Sequence, residues 1–238
     1  MTDLKIPVGI SDFAKIRKYN YYYVDKTGLI EDLLEKETAE VTLITRPRRF
    51  GKTMGMSMLA NFFDIRRDSQ AMFEGLEIAQ NTALCREWMN QWPGLFLSFK
   101  RVDGLDFGSA YEMLCTVIAE VCVTHGYLQE SARVAPYDKN LLKRIEAGTA
   151  TQVEPKNSFV TLTRATAAHY GKPVILLLDE YDVPIAKASA KGYYAEMLDV
   201  VKGLMQALKD NDALRFAVVT GCLRIAKESI YRLTYFCT

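Results

Sequence analysis

Residues 46–53 read Arg-Pro-Arg-Arg-Phe-Gly-Lys-Thr, and they follow the apolar run Val41–Thr45. A strand, a short loop, Gly-Lys-Thr and a helix form the arrangement that holds a nucleoside triphosphate in P-loop proteins. Backbone N–H groups at the helix start face the anion, and the helix dipole adds to the attraction. We therefore expect Lys52 to reach the β- and γ-phosphates and the Thr53 hydroxyl to bind Mg²⁺.

The loop departs from the pattern G-x-x-x-x-G-K-[ST] because Arg46 occupies the position of the first glycine. Glycine there permits a tight turn at positive φ, whereas Pro47 pushes residue 46 toward an extended conformation. Pro47 also lacks an amide donor. We expect the loop to leave the strand one residue later and the amides of residues 49–53 to hold the phosphate. The guanidinium groups of Arg46, Arg48 and Arg49 either contact phosphate directly or pair with acidic side chains and solvent.

A second anchor for the metal is predicted at Asp179 and Glu180, which follow the apolar run 174–178. Open α/β sheets bind ligands at the carboxyl ends of their strands. An aspartate there can hold the Mg²⁺ shell, and an adjacent glutamate can orient the attacking water and accept its proton. This pairing is typical of ATPases in which another strand lies between the P-loop strand and the acidic strand. The strand ending in Thr220 would be that strand and would present a polar side chain to the γ-phosphate.

Each site residue therefore has an expected role. Lys52 and Glu180 are expected to be catalytic, and Thr53 and Asp179 to bind the metal. The residues expected to bind the nucleotide are Arg46, Arg48, Arg49, Phe50, Gly51, Lys52, Thr53, Met54 and Thr220.

Strands alternate with helices along the chain, which predicts a mainly parallel, three-layer α/β sandwich of the P-loop NTPase kind. Hydrophobic spacing predicts strands at 41–45, 95–99, 174–178 and 215–220. It predicts helices at 28–36, 51–63, 111–122, from about 138, and at 158–170, where Gly171 and Pro173 end the helix. One long amphipathic helix is expected after residue 182, with an apolar stripe from 197 to 208. Residues 68–92 are expected to be irregular or helical.

Bulk composition narrows the function classes. The 238 residues are 49% hydrophobic and 25% charged with a net charge of +1, which is typical of a globular domain and argues against general DNA coating. The five cysteines are odd in number and form no C-x-x-C pair, and only two histidines occur. Reduced thiols and no histidine-built metal site are therefore expected. The start lacks a signal peptide and the apolar runs are strand-length, so we expect a cytoplasmic protein with no membrane segment.

Residues 46–53 resemble the signature loop of the bacterial AAA-ATPase-like family, in which arginine at the loop start is normal. The segments 6–13, 22–27, 178–185 and 219–221 resemble further parts of the same family pattern. The resemblance implies an ATP-binding domain, often followed by a restriction-endonuclease-like domain. It implies that Lys52 and Thr53 bind phosphate and metal, that Asp179 binds metal, and that Glu180 is the catalytic acid/base.

The C-terminus departs from this pattern, because only residues 222–238 follow the Thr-Gly strand. We expect one P-loop domain over residues 1–238, with 1–40 packing on the core as an N-terminal extension and 221–238 as a truncated end. A missing fifth strand would leave Val41–Thr45 as an exposed edge, and the truncation would impair hydrolysis.

Three functions compete at this stage. The first is Mg²⁺-dependent binding and hydrolysis of ATP. The second is a nucleotide-responsive switch or interaction module with little turnover. The third is an ATPase that works on nucleic acid with a nuclease-like domain, although no nuclease constellation is readable in this chain. A homo-oligomer, a protein partner and the choice between ATP and GTP stay open.

Overall fold

The computed structural model describes residues 5–35, 40–47 and 49–222, together with the backbone of residues 234–236. The described strands are β1 (Val41–Thr45), β2 (Gly94–Ser98), β3 (Val174–Asp179), β4 (Leu214–Gly221) and β5 (Thr234–Phe236). They form one parallel sheet in the order β2-β3-β4-β1-β5. β4 lies between β1 and β3, which confirms the strand order predicted from the acidic pair.

Helices cover both faces of this sheet. They are α1 (Phe13–Lys18), α2 (Gly28–Glu35), α3 (Lys52–Phe63), α4 (Gln70–Phe73), α5 (Thr82–Trp88), α6 (Phe107–Thr124), α7 (Pro136–Glu146), α8 (Ser158–Tyr170), α9 (Val183–Lys191) and α10 (Tyr194–Leu204). Buried residues of α1 to α5 form one apolar cluster, and buried residues of α6 to α10 form another. The chain is therefore a three-layer α/β sandwich, as expected.

β3 shows why the sequence folds this way. Ile175 and Leu177 belong to the cluster with α3, whereas Leu176 and Leu178 belong to the cluster with α6 to α10. Side chains alternate between the two faces of a strand, and every residue of β3 is buried. A continuous apolar run is what a strand covered on both faces requires.

The N-terminal part of the chain contacts the same core. The backbone N–H of Phe13 donates to Oγ of Ser57 on α3 at 3.0 Å, and Phe13 is fully buried. Ile30 of α2 is fully buried in the same cluster. α1 and α2 therefore pack close to α3, the helix that follows the candidate phosphate loop.

Three expectations need correction. The single long helix after residue 182 is two helices, because Gly192 ends α9 in the left-handed conformation at φ 87°; a 3₁₀ turn, Met205–Leu208, follows α10. Phe99 lies in a 3₁₀ turn and not in β2. β1 is not an exposed edge, because β5 pairs with it in parallel. The short length of the C-terminal segment suggested too little chain for a fifth strand, but three residues are enough to cover β1.

One described helix, α6, is long and apolar enough to cross a membrane by length and composition alone. The core helix of a soluble protein passes the same test, so the finding is weak evidence for a span. Leu114 and Ile118 of α6 are fully buried in the larger apolar cluster. Hydrophobic spacing predicted this helix at 111–122, and the structure extends it to Phe107–Thr124.

Candidate functional site

The loop after β1 keeps one hydrogen bond to β4 before it leaves the sheet. The backbone N–H of Arg46 still donates to the carbonyl oxygen of Gly221 on β4, at 3.4 Å. Among the described loop residues, Arg49 at φ 71° and Gly51 at φ 79° are left-handed. Arg49 therefore adopts a left-handed conformation that glycine usually supplies. Arg48 lies outside the described residues.

The start of α3 is open to an anion. Gly51 is the N-cap residue, no side chain caps the first turn, and that turn contains no acidic residue. The first amides of a helix have no partner within the helix, so uncapped amides at this position can donate to phosphate oxygens. Thr53 and Met54 lie in this first turn and are half-buried.

Lys52 folds back over the loop. Its Nζ donates to the carbonyl oxygens of Arg46 at 2.6 Å and Pro47 at 3.1 Å, and lies 3.2 Å from Sγ of Cys222. These partners hold the ammonium group next to the loop interior. A triphosphate bound in the loop would compete with the two carbonyl oxygens for the same three donors.

Asp179 joins the ends of three adjacent strands. Its Oδ1 accepts a hydrogen bond from Thr220 of β4 at 2.6 Å, and its Oδ2 accepts one from Ser98 of β2 at 3.1 Å. The Asp179 side chain is fully buried. The hydroxyl of Thr220 also accepts from the backbone N–H of Glu180 at 3.2 Å. These contacts fix the carboxylate at the carboxyl end of the sheet, where ligands of open α/β sheets bind.

Glu180 occupies a strained backbone position at φ 54°. Non-glycine residues at positive φ cost free energy and concentrate at functional sites. Burial and the neighbouring charge of Asp179 raise the pKa of Glu180, and the Lys100 and Lys52 ammonium groups oppose that shift. A glutamate with a raised pKa is a stronger base when ionised near neutral pH.

The raised pKa of Glu180 predicts a pH-dependent stability. The folded chain binds this proton more tightly than the unfolded chain, so the stabilising contribution is present below the ordinary glutamate pKa and is lost as pH rises through the folded-state value. We expect Glu180→Gln to raise the melting temperature of the nucleotide-free protein at pH 7, because glutamine resembles the neutral form that the folded state favours. The difference should shrink as the pH falls toward about 4. Thermal unfolding over a pH series measures it, and a difference independent of pH would contradict it.

The segment between β3 and α9 is tied to the end of β4. The backbone N–H of Tyr181 donates to the carbonyl oxygen of Thr220 at 3.1 Å, and Oδ2 of Asp182 accepts from the backbone N–H of Cys222 at 2.8 Å. A Cβ atom at Gly221 would lie 2.6 Å from Cε1 of Tyr181 and 2.8 Å from Oδ1 of Asp182. Glycine is therefore required at position 221 for this close approach.

A cavity of about 310 Å³ lies beside the loop. Its lining includes four residues expected from the sequence near the phosphates, Arg46, Gly51, Lys52 and Thr220, and the expected residue Phe50, which is 56% exposed. The remaining lining residues are Lys26, Leu29, Asp32, Ile44, Gly55, Met56, Met58 and Leu59. Thr220 thus faces the loop cavity and also contacts Asp179, which joins the loop to the carboxylate pair.

Two residues hold the N-terminal side of this cavity in place. Asp25 accepts hydrogen bonds from the backbone N–H groups of Thr27 at 2.8 Å and Glu77 at 2.7 Å. The fully buried Thr27 accepts one from the backbone N–H of Ile78 at 3.2 Å. These contacts fix Lys26 and the start of α2 relative to the 3₁₀ turn Glu77–Gln80. Residues 22–27 are part of the family resemblance, but their position at the site was not predicted from the sequence.

The structure brings most of the expected residues to one end of the sheet. Arg49 is exposed and does not line the cavity. Thr53, Met54, Asp179 and Glu180 do not line it either. Ser98 and Asp182 were missed, although each is a polar residue at or just after the carboxyl end of a strand. Within the described ranges, no group of three or more His, Cys, Asp or Glu side chains gathers as a metal site.

Comparisons with known proteins agree with the P-loop-type fold. The sequence profile of a family described as "Predicted AAA-ATPase" matches residues 7–231. A protein of Azotobacter chroococcum mcd 1, named "Uncharacterized protein in vnfD 5'region", is 32% identical over 234 residues, which is 97% of this chain and 40% of that protein. The chain thus spans less than half the length of this relative. No solved structure matches the chain significantly. With a P-loop-type sandwich and a profile match over nearly its whole length, the chain belongs to the AAA-ATPase-like family.

Proposed function

We propose that this chain binds ATP together with Mg²⁺ and hydrolyses the γ-phosphate. The observation that carries the proposal is the position of Thr220, whose hydroxyl contacts Asp179 and whose side chain lines the cavity of Lys52. The Lys52 ammonium also lies near enough to Glu180 to lower the pKa of that carboxyl. These two contacts support a shared site for the phosphate loop and the carboxylate pair, with Thr220 as the link, since Asp179 and Glu180 do not themselves line the cavity.

Each residue then has a role. The uncapped amides at the start of α3 and the Lys52 ammonium bind the β- and γ-phosphates. Glu180 orients the attacking water and accepts its proton, since its carboxylate stands at the carboxyl end of β3 beside Asp179. The Lys52 charge also stabilises the charge that develops on the γ-phosphate during in-line attack.

The chain offers suitable oxygen donors for Mg²⁺. Thr53 supplies a hydroxyl and Asp179 a carboxylate, and Mg²⁺ at nucleotide sites needs only one or two protein ligands because phosphates and water supply the rest. A cluster of several carboxylates is therefore not required. When bound, Mg²⁺ would neutralise charge on the phosphate oxygens.

Calorimetric titration of ATP and GTP, with and without Mg²⁺, tests binding, and release of inorganic phosphate under the same conditions tests turnover. We expect binding that strengthens with Mg²⁺ and multiple-turnover phosphate release. Binding without release above background would favour a nucleotide-responsive switch. Absence of binding to either nucleotide would refute the proposal.

The wider biological setting belongs to the same proposal. We propose that residues 1–238 act as one P-loop domain in the cytoplasm. A protein partner, a homo-oligomer and a nucleic-acid substrate remain open hypotheses, and salt-dependent DNA binding by this chain would support the last of them.

A further inference from the structure

One edge of the central sheet has no partner strand in the described part of the chain. β2 is the end strand of the order β2-β3-β4-β1-β5. The backbone N–H of Ile175 on β3 donates to the carbonyl oxygen of Pro93, just before β2, at 2.9 Å. Alternate residues of a strand bond to the same neighbour, so the N–H and C=O groups of Phe96 face away from β3. Phe96 is also 37% exposed, and we call this side of the strand the open edge of β2.

The chain itself pairs an extended segment with the same edge just before β2. The backbone N–H of Ile65 donates to the carbonyl oxygen of Trp92 at 2.8 Å, and the N–H of Trp92 donates to that of Phe63 at 3.1 Å. This short pairing is parallel and is centred on Asp64. The chain then turns away, because the N–H of Arg67 donates to the carbonyl oxygen of Asp64 at 3.0 Å. The open edge of β2 therefore continues a line along which an extended segment already pairs.

A cavity of about 440 Å³ lies along the open edge of β2. Every residue of β2 lines it. One wall is the end of α3 with the segment after it, and the other is the last two turns of α6, including the apolar residues Val117 and Val121. Nη1 of Arg66 donates to the carbonyl oxygen of Thr124 at 3.4 Å and so joins the two walls. The space beside β2 can therefore hold a short extended segment between two fixed walls.

The cavity carries an excess of positive charge. Four cationic side chains line it against two carboxylates, and both carboxylates already have partners: Asp64 pairs with Arg66 at 2.8 Å and Glu120 with Arg101 at 2.7 Å. Lys100 is exposed, and none of the ion pairs among the described residues includes it. A second copy paired through β2 would bring these cations together, and like charges on facing strands repel. An acidic segment is the occupant whose charge complements the cavity.

We propose that the open edge of β2 binds an extended acidic segment of a partner protein, which adds to the sheet as a further strand. The peptide groups of Phe96 bond to the backbone of this segment, and the Phe96 ring and Val121 pack against its apolar side chains. Lys100 attracts its carboxylates, and the cations discourage pairing with neutral or basic strands. This cavity shares no lining residue with the cavity beside the phosphate loop, so the proposal does not depend on nucleotide binding.

Fluorescence anisotropy of the nucleotide-free chain with a short labelled peptide of alternating glutamate and valine tests the proposal. One matched peptide has lysine in place of glutamate. Another has every backbone nitrogen methylated, which removes the main-chain donors and keeps the charge. We expect the acidic peptide to bind at least about tenfold more tightly than either matched peptide, because binding needs both the carboxylates and the backbone hydrogen bonds.

Lys100→Glu should weaken binding of the acidic peptide at least about tenfold, because it replaces an attraction with a repulsion. Lys202→Glu is the matched control, since Lys202 is exposed on α10 and does not line this cavity, and wild-type affinity is expected there. Phe96→Thr is a second variant that keeps a residue favoured in strands and removes the ring, so affinity should fall severalfold. Circular dichroism verifies that all three variants are folded.

Several outcomes would overturn the proposal. One is absence of binding by the acidic peptide, and another is equal binding of the acidic and methylated peptides, which would mean charge attraction without strand pairing. Binding of oligothymidylate that Lys100→Glu abolishes, without binding of the acidic peptide, would make the cavity a nucleic-acid surface instead. A concentration-dependent dimer in sedimentation that Phe96→Thr abolishes would make a second copy of the chain the occupant.

Discussion

Lys52→Ala is expected to weaken ATP binding by about 100-fold or more. A hydrogen bond to a charged group contributes roughly 1.5–3 kcal/mol, and Lys52 is expected to make such contacts to two phosphates. The substitution removes the donor that now lies 2.6 Å from the Arg46 carbonyl and 3.1 Å from the Pro47 carbonyl. Both carbonyls border the open loop, where water can replace the lysine. Folding should therefore change little, and calorimetric titration of ATP should show the loss directly.

Lys202→Ala is the matched control for this experiment. Lys202 is an exposed lysine on α10 and does not line the cavity, so its removal changes the net charge equally without touching the loop. We expect wild-type ATP affinity in that variant. Unchanged affinity in Lys52→Ala, with both variants folded by circular dichroism, would place the phosphates elsewhere and remove the proposed site.

Much of the fold could be predicted from the sequence because its signals are local. The continuous apolar run of β3 requires coverage on two faces, and Gly171 ends α8 at φ 66° as its position predicts. The order of β4 between β1 and β3 followed from the chemistry of the acidic pair. The split after α9 was missed because the apolar stripe from 197 to 208 lies wholly after Gly192, so its periodicity does not show where the helix begins.

The pairing of β5 with β1 could not be predicted for a different reason. Strand pairing between residues 42 and 234 is a long-range contact, and a three-residue strand carries almost no periodic signal. The expectation of an exposed edge rested on counting residues after Gly221. Chain length limits what can form, but it does not determine which short segment pairs with a free edge.

Only part of the candidate site could be predicted from the sequence. Gly51, Lys52 and the acidic pair carry recognisable spacing, so the loop and the carboxyl end of β3 could be predicted. Lys26, Leu29 and Gly55 carry no such pattern, because they meet only when α2 packs against α3. The Asp25 and Thr27 contacts that hold this segment are likewise tertiary, reaching Glu77 and Ile78 some fifty residues away.

Glu180→Gln is expected to keep ATP binding and to lower the rate of phosphate release by about 10²–10⁴-fold. Glutamine has nearly the same shape but cannot accept the proton of the attacking water. It also removes a negative charge beside Asp179, so ATP affinity should stay equal or rise slightly. Steady-state phosphate release, measured at saturating ATP and Mg²⁺, separates this effect from the binding loss expected of Lys52→Ala.

The control for Glu180→Gln is Glu112→Gln, which makes the same chemical change on the exposed surface of α6. Wild-type turnover in both variants would mean that Glu180 takes no proton in the reaction. Its strained backbone at φ 54° would then serve only to bring the carboxyl end of β3 against Thr220. Loss of turnover in Glu180→Gln alone, with ATP binding preserved, assigns the proton transfer to this side chain, because binding and chemistry then depend on different residues.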